Sequence, residues 1–508
     1  MPIAREYNSA ALIRESLLGV VAIAVCACGL SACTVGPDFQ RPDAPEAAGY
    51  TPEKLASETN SANISGGKAQ RFVEARDIPG QWWSLFHSDQ LNSLVDEALN
   101  ANPDLSAAQA ALREANENVY AEQGAFFPTI SGSSSATRQK AAGGPTLNVT
   151  SATLSVSYSP DVFGGVRREV ESAESQAVFE RFQLEATYLT LTSNVANTAI
   201  TLASLRNQIL ATEDIIKIES EQLTLVKRQF EFGAVSNTDI LTQQAALEQT
   251  RATLPPLQKQ LAQARNQLMT YLGRYPNQDN GESFDLASLN LPEDLPVSLP
   301  SKLIEQRPDV RAAEAQLHEA SANIGVAIAN QLPQFSITGE LGSVFSAGTG
   351  IWDIAGAVAQ SIFDGGALEH RKRAAVAAYD QSKAQYRGTV LSAFQDVANA
   401  LRAVESDADA LNADALAERT AFESLGLARK QYQLGGTSYL NVLNAEQTYQ
   451  NALINRVRAQ AARFSDTVAL FQALGGGWWN RNDVPPESKG SADRFAPPPL
   501  QEIKLPGL

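Results

Sequence analysis

Arg228-Gln229-Phe230-Glu231-Phe232-Gly233-Ala234-Val235-Ser236-Asn237-Thr238-Asp239-Ile240-Leu241 and Lys430-Gln431-Tyr432-Gln433-Leu434-Gly435-Gly436-Thr437-Ser438-Tyr439-Leu440-Asn441-Val442-Leu443 are two versions of one stretch, 202 residues apart. Each has a basic-Gln-aromatic helix end, a Gly where a helix would stop, and a Ser three residues on. Glycine tolerates the left-handed conformation that closes a helix. Ser236 and Ser438 suit the N-cap of a returning helix. Both stretches therefore predict the sharp end of a helical hairpin, with Gly233, Ser236, Gly435, Gly436 and Ser438 at the turns.

The sequence on either side of these ends repeats as well. Asn102-Pro103-Asp104-Leu105 matches Arg307-Pro308-Asp309-Val310 at an offset of 205, and Pro128 matches Pro333 at the same offset. Gly164-Gly165 matches Gly365-Gly366 at 201, and Leu272-Gly273 matches Leu474-Gly475 at 202. Offsets that hold this closely over a whole half mark a duplication. No Pro or Gly interrupts Val166 to Phe232, a run of 67 residues. Unbroken, that helix would span roughly 100 Å, which no globular core matches; it needs continuous lateral partners. A second long helix is expected from Ala367 to Leu434. The returning helix of the first half, 237–272, contains Pro255-Pro256, which should kink or break it. Each half thus reads helix, strand, turn, strand, long helix, tight end, helix. That order puts strands at one pole of a long rod and helical turns at the other.

Four strands of about ten residues each alternate apolar residues with Ser, Thr and small residues. Leu154, Val156 and Tyr158 alternate with Ser155, Ser157 and Ser159; Phe335, Ile337 and Leu341 alternate with Ser336, Thr338 and Glu340. The other two run from Thr129 to about Lys140 and from Ile351 to Ile362. Ten tilted residues cross an outer membrane as β-structure, with the apolar face toward lipid and the hydroxyl face toward a wet lumen. A small soluble sheet packed on the helices is the alternative. If the strands span a membrane, four cannot close a barrel, and open edges in lipid are forbidden. Chains must then pool them: two give eight, three give twelve.

Arg5 and Arg14 precede an apolar run from Leu17 to Leu30, followed by Ser31-Ala32-Cys33. The run is short for a membrane anchor and reads as a signal peptide. Its end resembles a lipoprotein cleavage box with Cys33 as the acylated first mature residue. Cys26 and Cys28 would leave with the signal, so no disulfide framework is expected. The absence of Asp after Cys33 (Thr34 stands there) points to the outer membrane. The resulting plan is a signal peptide at 1–32, an acylated, extended and poorly packed leader at 33–80, repeats at 81–299 and 300–475, and a Gly/Pro-rich tail at 476–508.

A net charge of -16 argues against nucleic acid as a partner. His87, His318 and His370 have no metal-ligand spacing with Cys or carboxylates, so neither a metal nor a catalytic residue is expected. No phosphate-binding or nucleophile-elbow motif occurs, and the chain reads as non-enzymatic. The scattered carboxylates read as solvated helix faces. Trp82-Trp83 and Trp478-Trp479 read as packing or interface anchors before a ligand platform.

Together these features resemble the TolC-like outer-membrane efflux proteins, in their lipoprotein (NodT-type) branch. The residues that carry the likeness are Cys33-Thr34-Val35-Gly36-Pro37-Asp38, Trp82-Trp83 with Phe86 and Leu91, and the two Pro103 and Pro308 motifs. Phe163-Gly164-Gly165, Phe363-Asp364-Gly365-Gly366 and the two hairpin ends complete it. The fold implied is mainly α with a membrane β-barrel contribution: duplicated antiparallel hairpins forming a tunnel, plus four transmembrane strands per chain. The resemblance implies a homotrimer with a twelve-strand barrel, in outer-membrane lipid through Cys33, with no cofactor beyond that lipid. It implies docking on a periplasmic adaptor (membrane fusion protein) and an inner-membrane RND-type pump, to pass small toxic compounds outward. It also implies a periplasmic gate at the hairpin ends. Leu440 matches a constricting leucine, and Tyr432 and Asp239 match a tyrosine-aspartate tie between hairpins. Asn441 and Asn444 stand where the family has acidic residues, Thr437 where some members have arginine, and Gln447 where lipoprotein relatives have arginine. The amides lack the strength of charge-assisted bonds. An exit duct for protein secretion shares the fold; a periplasmic adaptor and a structural envelope lipoprotein are the readings outside it.

Overall fold

A computed structural model describes residues 34–45, 47, 49–140, 142–281, 284–344 and 349–483. The expectations for the signal segment, for acylated Cys33 and for the tail beyond 483 lie outside those residues. The chain runs β1 (Arg71–Glu74), a 3-10 turn (Trp82–Phe86), α1 (Asp89–Ala101), α2 (Pro103–Gln123), β2 (Thr129–Lys140), β3 (Thr146–Tyr158), α3 (Gly165–Glu231) and α4 (Asn237–Tyr271). A second series follows: β4 (Asp294–Val297), α5 (Pro300–Gln306), α6 (Pro308–Ala329), β5 (Gln334–Val344), β6 (Thr349–Ala359), α7 (Ala367–Gln433) and α8 (Tyr439–Ala473). The long helices α3 and α7 have 67 residues each, and the returning helices α4 and α8 have 35 each. Among the described residues no helix is long and apolar enough to cross a membrane.

α4 is one continuous helix through Pro255 and Pro256, so of the kink or break expected there the break does not occur. Each proline fixes φ near the helical value, so the cost is two missing backbone bonds. The carbonyls they leave free, on Arg251 and Ala252, lie on an exposed stretch and can turn to water.

The chain divides into two compact units. Of the described residues, the first holds 34–42, Ala111–Arg181 and Ala312–Arg387. Its sheet has the order β2-β3-β5-β6, antiparallel throughout. The register carries Gly132, Leu154, Leu341 and Trp352 across all four strands on one face. The next row on that face is Ile130, Val156, Gly339 and Ile354. Trp352 is 75% exposed and Ile354 77%. The opposite face carries Ser131, Ser155, Glu340 and Asp353 in one row. There, cross-strand hydroxyls bond at 2.8 Å (Ser131–Ser155), 2.9 Å (Ser133–Thr153) and 3.0 Å (Ser135–Ser151). The alternation read from sequence is thus a two-faced sheet. Small residues let its helices approach: Ala115, Val119 and Ala177 are buried together.

The start of the leader is pinned in this unit. The Val35 amide donates to the Phe163 carbonyl at 3.0 Å. The buried Arg168 guanidinium donates to the Val35 carbonyl at 3.1 Å, Asp38 at 2.6 Å and Glu171 at 2.6 Å. Phe39 stacks on the His318 ring at 4.3 Å.

Of the described residues, the second unit holds Asp43–Ala110, Phe182–Arg311 and 388–483. Its core is aromatic: Trp82 stacks on Phe471 at 5.5 Å, and Phe86 packs against Phe464 at 6.3 Å. Trp83 and Trp478 are buried too, so these tryptophans pack rather than form a platform. β1 pairs in parallel with β4, Arg71 opposite Asp294. The fully buried Arg463 donates to the Lys68 carbonyl at 2.6 Å and Thr59 Oγ1 at 3.1 Å. The later leader is therefore bound into the core, not loosely packed as expected. The same holds for residues 476–483, where a loose tail was expected: the Arg481 guanidinium lies 3.5 Å over the Tyr188 ring and pairs with Glu185 at 2.7 Å. Buried arginines spend their donors on carbonyls and carboxylates distant in the chain here, and a polar, proline-rich composition conceals that.

Candidate functional site

Both hairpin ends close by the same hydrogen bonds. At the first, the Gly233 amide donates to Phe230 O at 2.8 Å and the Ala234 amide to Gln229 O at 2.9 Å. At the second, the Gly435 amide donates to Tyr432 O at 3.0 Å and the Gly436 amide to Gln431 O at 2.8 Å. These are paired 6→1 and 5→2 Schellman bonds, which need a left-handed residue; Gly233 and Gly435 supply it, each with φ 73°.

The two restarts differ. The Ser236 amide donates to Asp239 Oδ2 at 2.8 Å, and Ser236 Oγ accepts from the Asp239 amide at 3.4 Å, a reciprocal capping box. Ser438 sits at the N-cap but makes no side-chain cap, contrary to expectation. Its third following residue is the amide Asn441, which donates to Thr437 Oγ1 at 2.6 Å. Ser236→Ala is therefore expected to cost the first hairpin end about 1 kcal/mol, with Ser438→Ala costing far less. Amide exchange over 237–243 would read the loss, and equal effects in the two variants would contradict it.

The expected Tyr432–Asp239 tie is not formed. The Tyr432 hydroxyl donates to Gln229 Oε1 at 3.0 Å. The Asp239 carboxylate is spent on Ser236, whose side-chain and backbone bonds hold it below the usual carboxylate range. The Tyr432–Gln229 bond runs between the two hairpins, which also meet through an apolar cluster: Val226, Leu425, Tyr439 and Val442 are buried, with Val235, Ile240 and Tyr432 against them.

Beside this cluster lies a groove of about 810 Å³ between α3, α4 and α8. Leu440, Leu443, Asn444 and Gln447 line it along α8, and Thr242 and Gln249 along α4. Leu440 is 56% exposed, so its own chain covers it only in part. Asn441 holds Thr437 and is not in the groove's wall. Amide and hydroxyl residues make up half of the wall, and apolar residues most of the rest.

Sequence reading missed one cluster on this wall. Glu219 and Glu446 are each 4% exposed. Glu219 falls in helical register with Ile215, Leu223 and Val226, all buried. Glu446 does the same with Tyr439 and Val442. A carboxylate on an apolar stripe was the available signal, and the assignment of carboxylates to solvated faces passed over it.

The fold and this site can now be set beside known proteins. The sequence model described as outer membrane efflux protein matches residues 94–274 and 299–476. The chain belongs to the outer membrane efflux protein family. It is 29% identical over 477 residues to a Pseudomonas putida protein named as the probable efflux pump outer membrane protein TtgC, covering 91% of this chain and 96% of that one. It is 28% identical over 462 residues to the probable outer membrane lipoprotein SilC of Salmonella typhimurium, covering 88% and 96%. The solved outer-membrane channel OprN superposes with a TM-score of 0.77 at 26% identity, covering 88% of this chain and all of that one. The efflux family likeness therefore spans both repeats and includes the strands, and the outer membrane is the location it carries.

Proposed function

We propose that this outer membrane efflux protein is the exit duct of a tripartite pump, passing small toxic compounds from the periplasm to the exterior. The observation that carries the reading is the four-stranded sheet. Its outer strands β2 and β6 are each paired on one side only, and its apolar face is exposed. Lipid tolerates that face and forbids those edges, so further copies must pair with them. Three copies give a twelve-strand barrel and a tunnel of twelve helices. The repeats 81–299 and 300–475 each supply two strands and one hairpin.

Processing before Cys33 and its acylation anchor the mature chain. Arg168 then holds the residues that follow, Val35 and Asp38, against α3. Gly233, Ser236, Gly435, Gly436 and Ser438 form the ends that meet a periplasmic adaptor. Leu440 and Asn444 line the wall of the gate, with Asn441, Tyr432 and Asp239 fixing the local turns. The duct does no chemistry; an inner-membrane pump supplies the energy. Deleting the gene is expected to raise susceptibility to a set of drugs, dyes or metal ions, restored by the wild-type chain. An unchanged profile with loss of a secreted protein would instead support a secretion duct.

A further inference from the structure

The Glu219–Glu446 cluster joins all four hairpin helices. Glu446 Oε1 accepts from Gln222 Nε2 at 3.1 Å and Arg429 Nη2 at 3.0 Å. Glu219 Oε1 accepts from Thr250 Oγ1 at 3.1 Å and Gln450 Nε2 at 3.0 Å. The fully buried Gln243 donates to the Glu219 carbonyl at 3.2 Å and accepts from the Tyr439 hydroxyl. The second oxygen of each carboxylate, Oε2, is buried with no hydrogen-bond partner among the described residues, as is Arg429 Nε.

The charges do not balance. α3 brings Glu219, α8 brings Glu446 and Tyr439, α7 brings Arg429, and the α4 contacts, Gln243 and Thr250, are neutral. Arg429, itself partly exposed, pairs with Glu446, and no cation pairs with Glu219 among the described residues, so one negative charge is in excess beside two carboxylate oxygens that solvent does not reach. Burial makes that charge costly, and a neighbouring carboxylate adds to the cost. A metal ion would have to sit beside the Arg429 guanidinium. A proton neutralises the excess without that repulsion and turns a bare oxygen into a hydroxyl.

We propose that Glu446, packed beside the Glu219 carboxylate, is a one-proton site that holds the two hairpin ends together, closed when the proton is bound and released when it leaves. The site is a property of the hairpins; only its consequence for conduction rests on the duct reading. Burial sets the Glu446 carboxyl above the usual carboxylate range, Arg429 opposes this, and the Glu219 charge reinforces it. The sign follows: the packed ends hold one proton more than the separated ends. Packing is strongest in acid and weakens as pH rises from the ordinary carboxylate value to the raised one. Above that value it is constant. Over that window the packed-to-separated ratio falls by up to about tenfold per pH unit.

The test is hydrogen exchange on the whole protein as purified from membranes, from pH 5 to 8.5, with rates corrected for base-catalysed intrinsic exchange. Protection of peptides covering 222–243 and 425–446 is expected to fall with pH in the wild type and to be flat in E446Q. E219Q, which also removes the excess charge and leaves the Glu446–Arg429 pair, should be flat too and serves if E446Q does not fold. Wild-type protection that ignores pH, or a folded variant that follows the wild-type slope, overturns the proposal. If protection follows pH as expected while the protein conducts no ions, the proton site stands and the duct reading fails.

Discussion

Trp82→Ala is expected to destabilise the protein by about 3–5 kcal/mol, the cost of emptying an aromatic-sized site in a packed core. Trp82 is fully buried. It stacks on Phe471 at 5.5 Å and meets Trp83 and Phe86 edge-on at 6.0 and 6.4 Å. Those contacts tie the 3-10 turn ahead of α1 to the last turns of α8, so the cavity would loosen the first repeat from the second. Trp82→Phe keeps a ring and removes an indole N–H that has no acceptor among the described residues; it should cost much less. Denaturant unfolding followed by helical circular dichroism measures both. A loss under 1 kcal/mol for the alanine variant would mean that this aromatic core does not join the repeats.

Gly475→Ala is the second large effect. Gly475 has φ +91°, and an added Cβ would lie 2.3 Å from the Gln306 carbonyl oxygen. The neighbour is backbone at the C-terminus of α5, which cannot step aside as a side chain would. Left-handed strain of about 1–2 kcal/mol adds to overpacking of about 1–3 kcal/mol. The first repeat holds the same device: Gly273 has φ +67°, and its Cβ would lie 2.3 Å from the Ala101 carbonyl oxygen. Gly273→Ala should therefore match it. Gly233, with φ +73° but open space around it, separates the two costs; Gly233→Ala should show only the conformational part. Equal losses at Gly233 and Gly475, again from unfolding curves, would show that the close approach contributes nothing.

Much of this was legible from punctuation. Gly233 and Gly435 end helices because their φ demands it, and Pro103 and Pro308 open helices because a first-turn N–H is expendable. A 202-residue offset then fixes the order of everything between. What escaped the reading was non-local. β1 and β4 are four residues each, pair in parallel across the chain, and β4 contains Pro296, so neither shows a strand pattern by itself. The leader looked loose because its partners, Arg168 and Arg463 among them, lie more than a hundred residues away along the chain.

At the site, sequence placed the ends and misjudged their chemistry. Ser438 resembles Ser236, yet Asn441 in place of Asp239 removes the carboxylate that would complete the cap. Tyr432 and Asp239 each find a nearer partner than the other. The cluster at Glu219 and Glu446 was hidden because a charge on an apolar stripe looks like an error until its Gln, Thr and Arg partners arrive from three other helices.

The central claim is that this chain, in copies sharing one barrel, encloses a path through the outer membrane that narrows at the hairpin ends. Ion conductance of the protein purified from membranes, in a planar lipid bilayer, tests it most directly. Discrete conductance steps are expected from the wild type, with larger steps from Tyr439→Ala, which loosens the buried contact between hairpins. No conductance from either protein would contradict the claim.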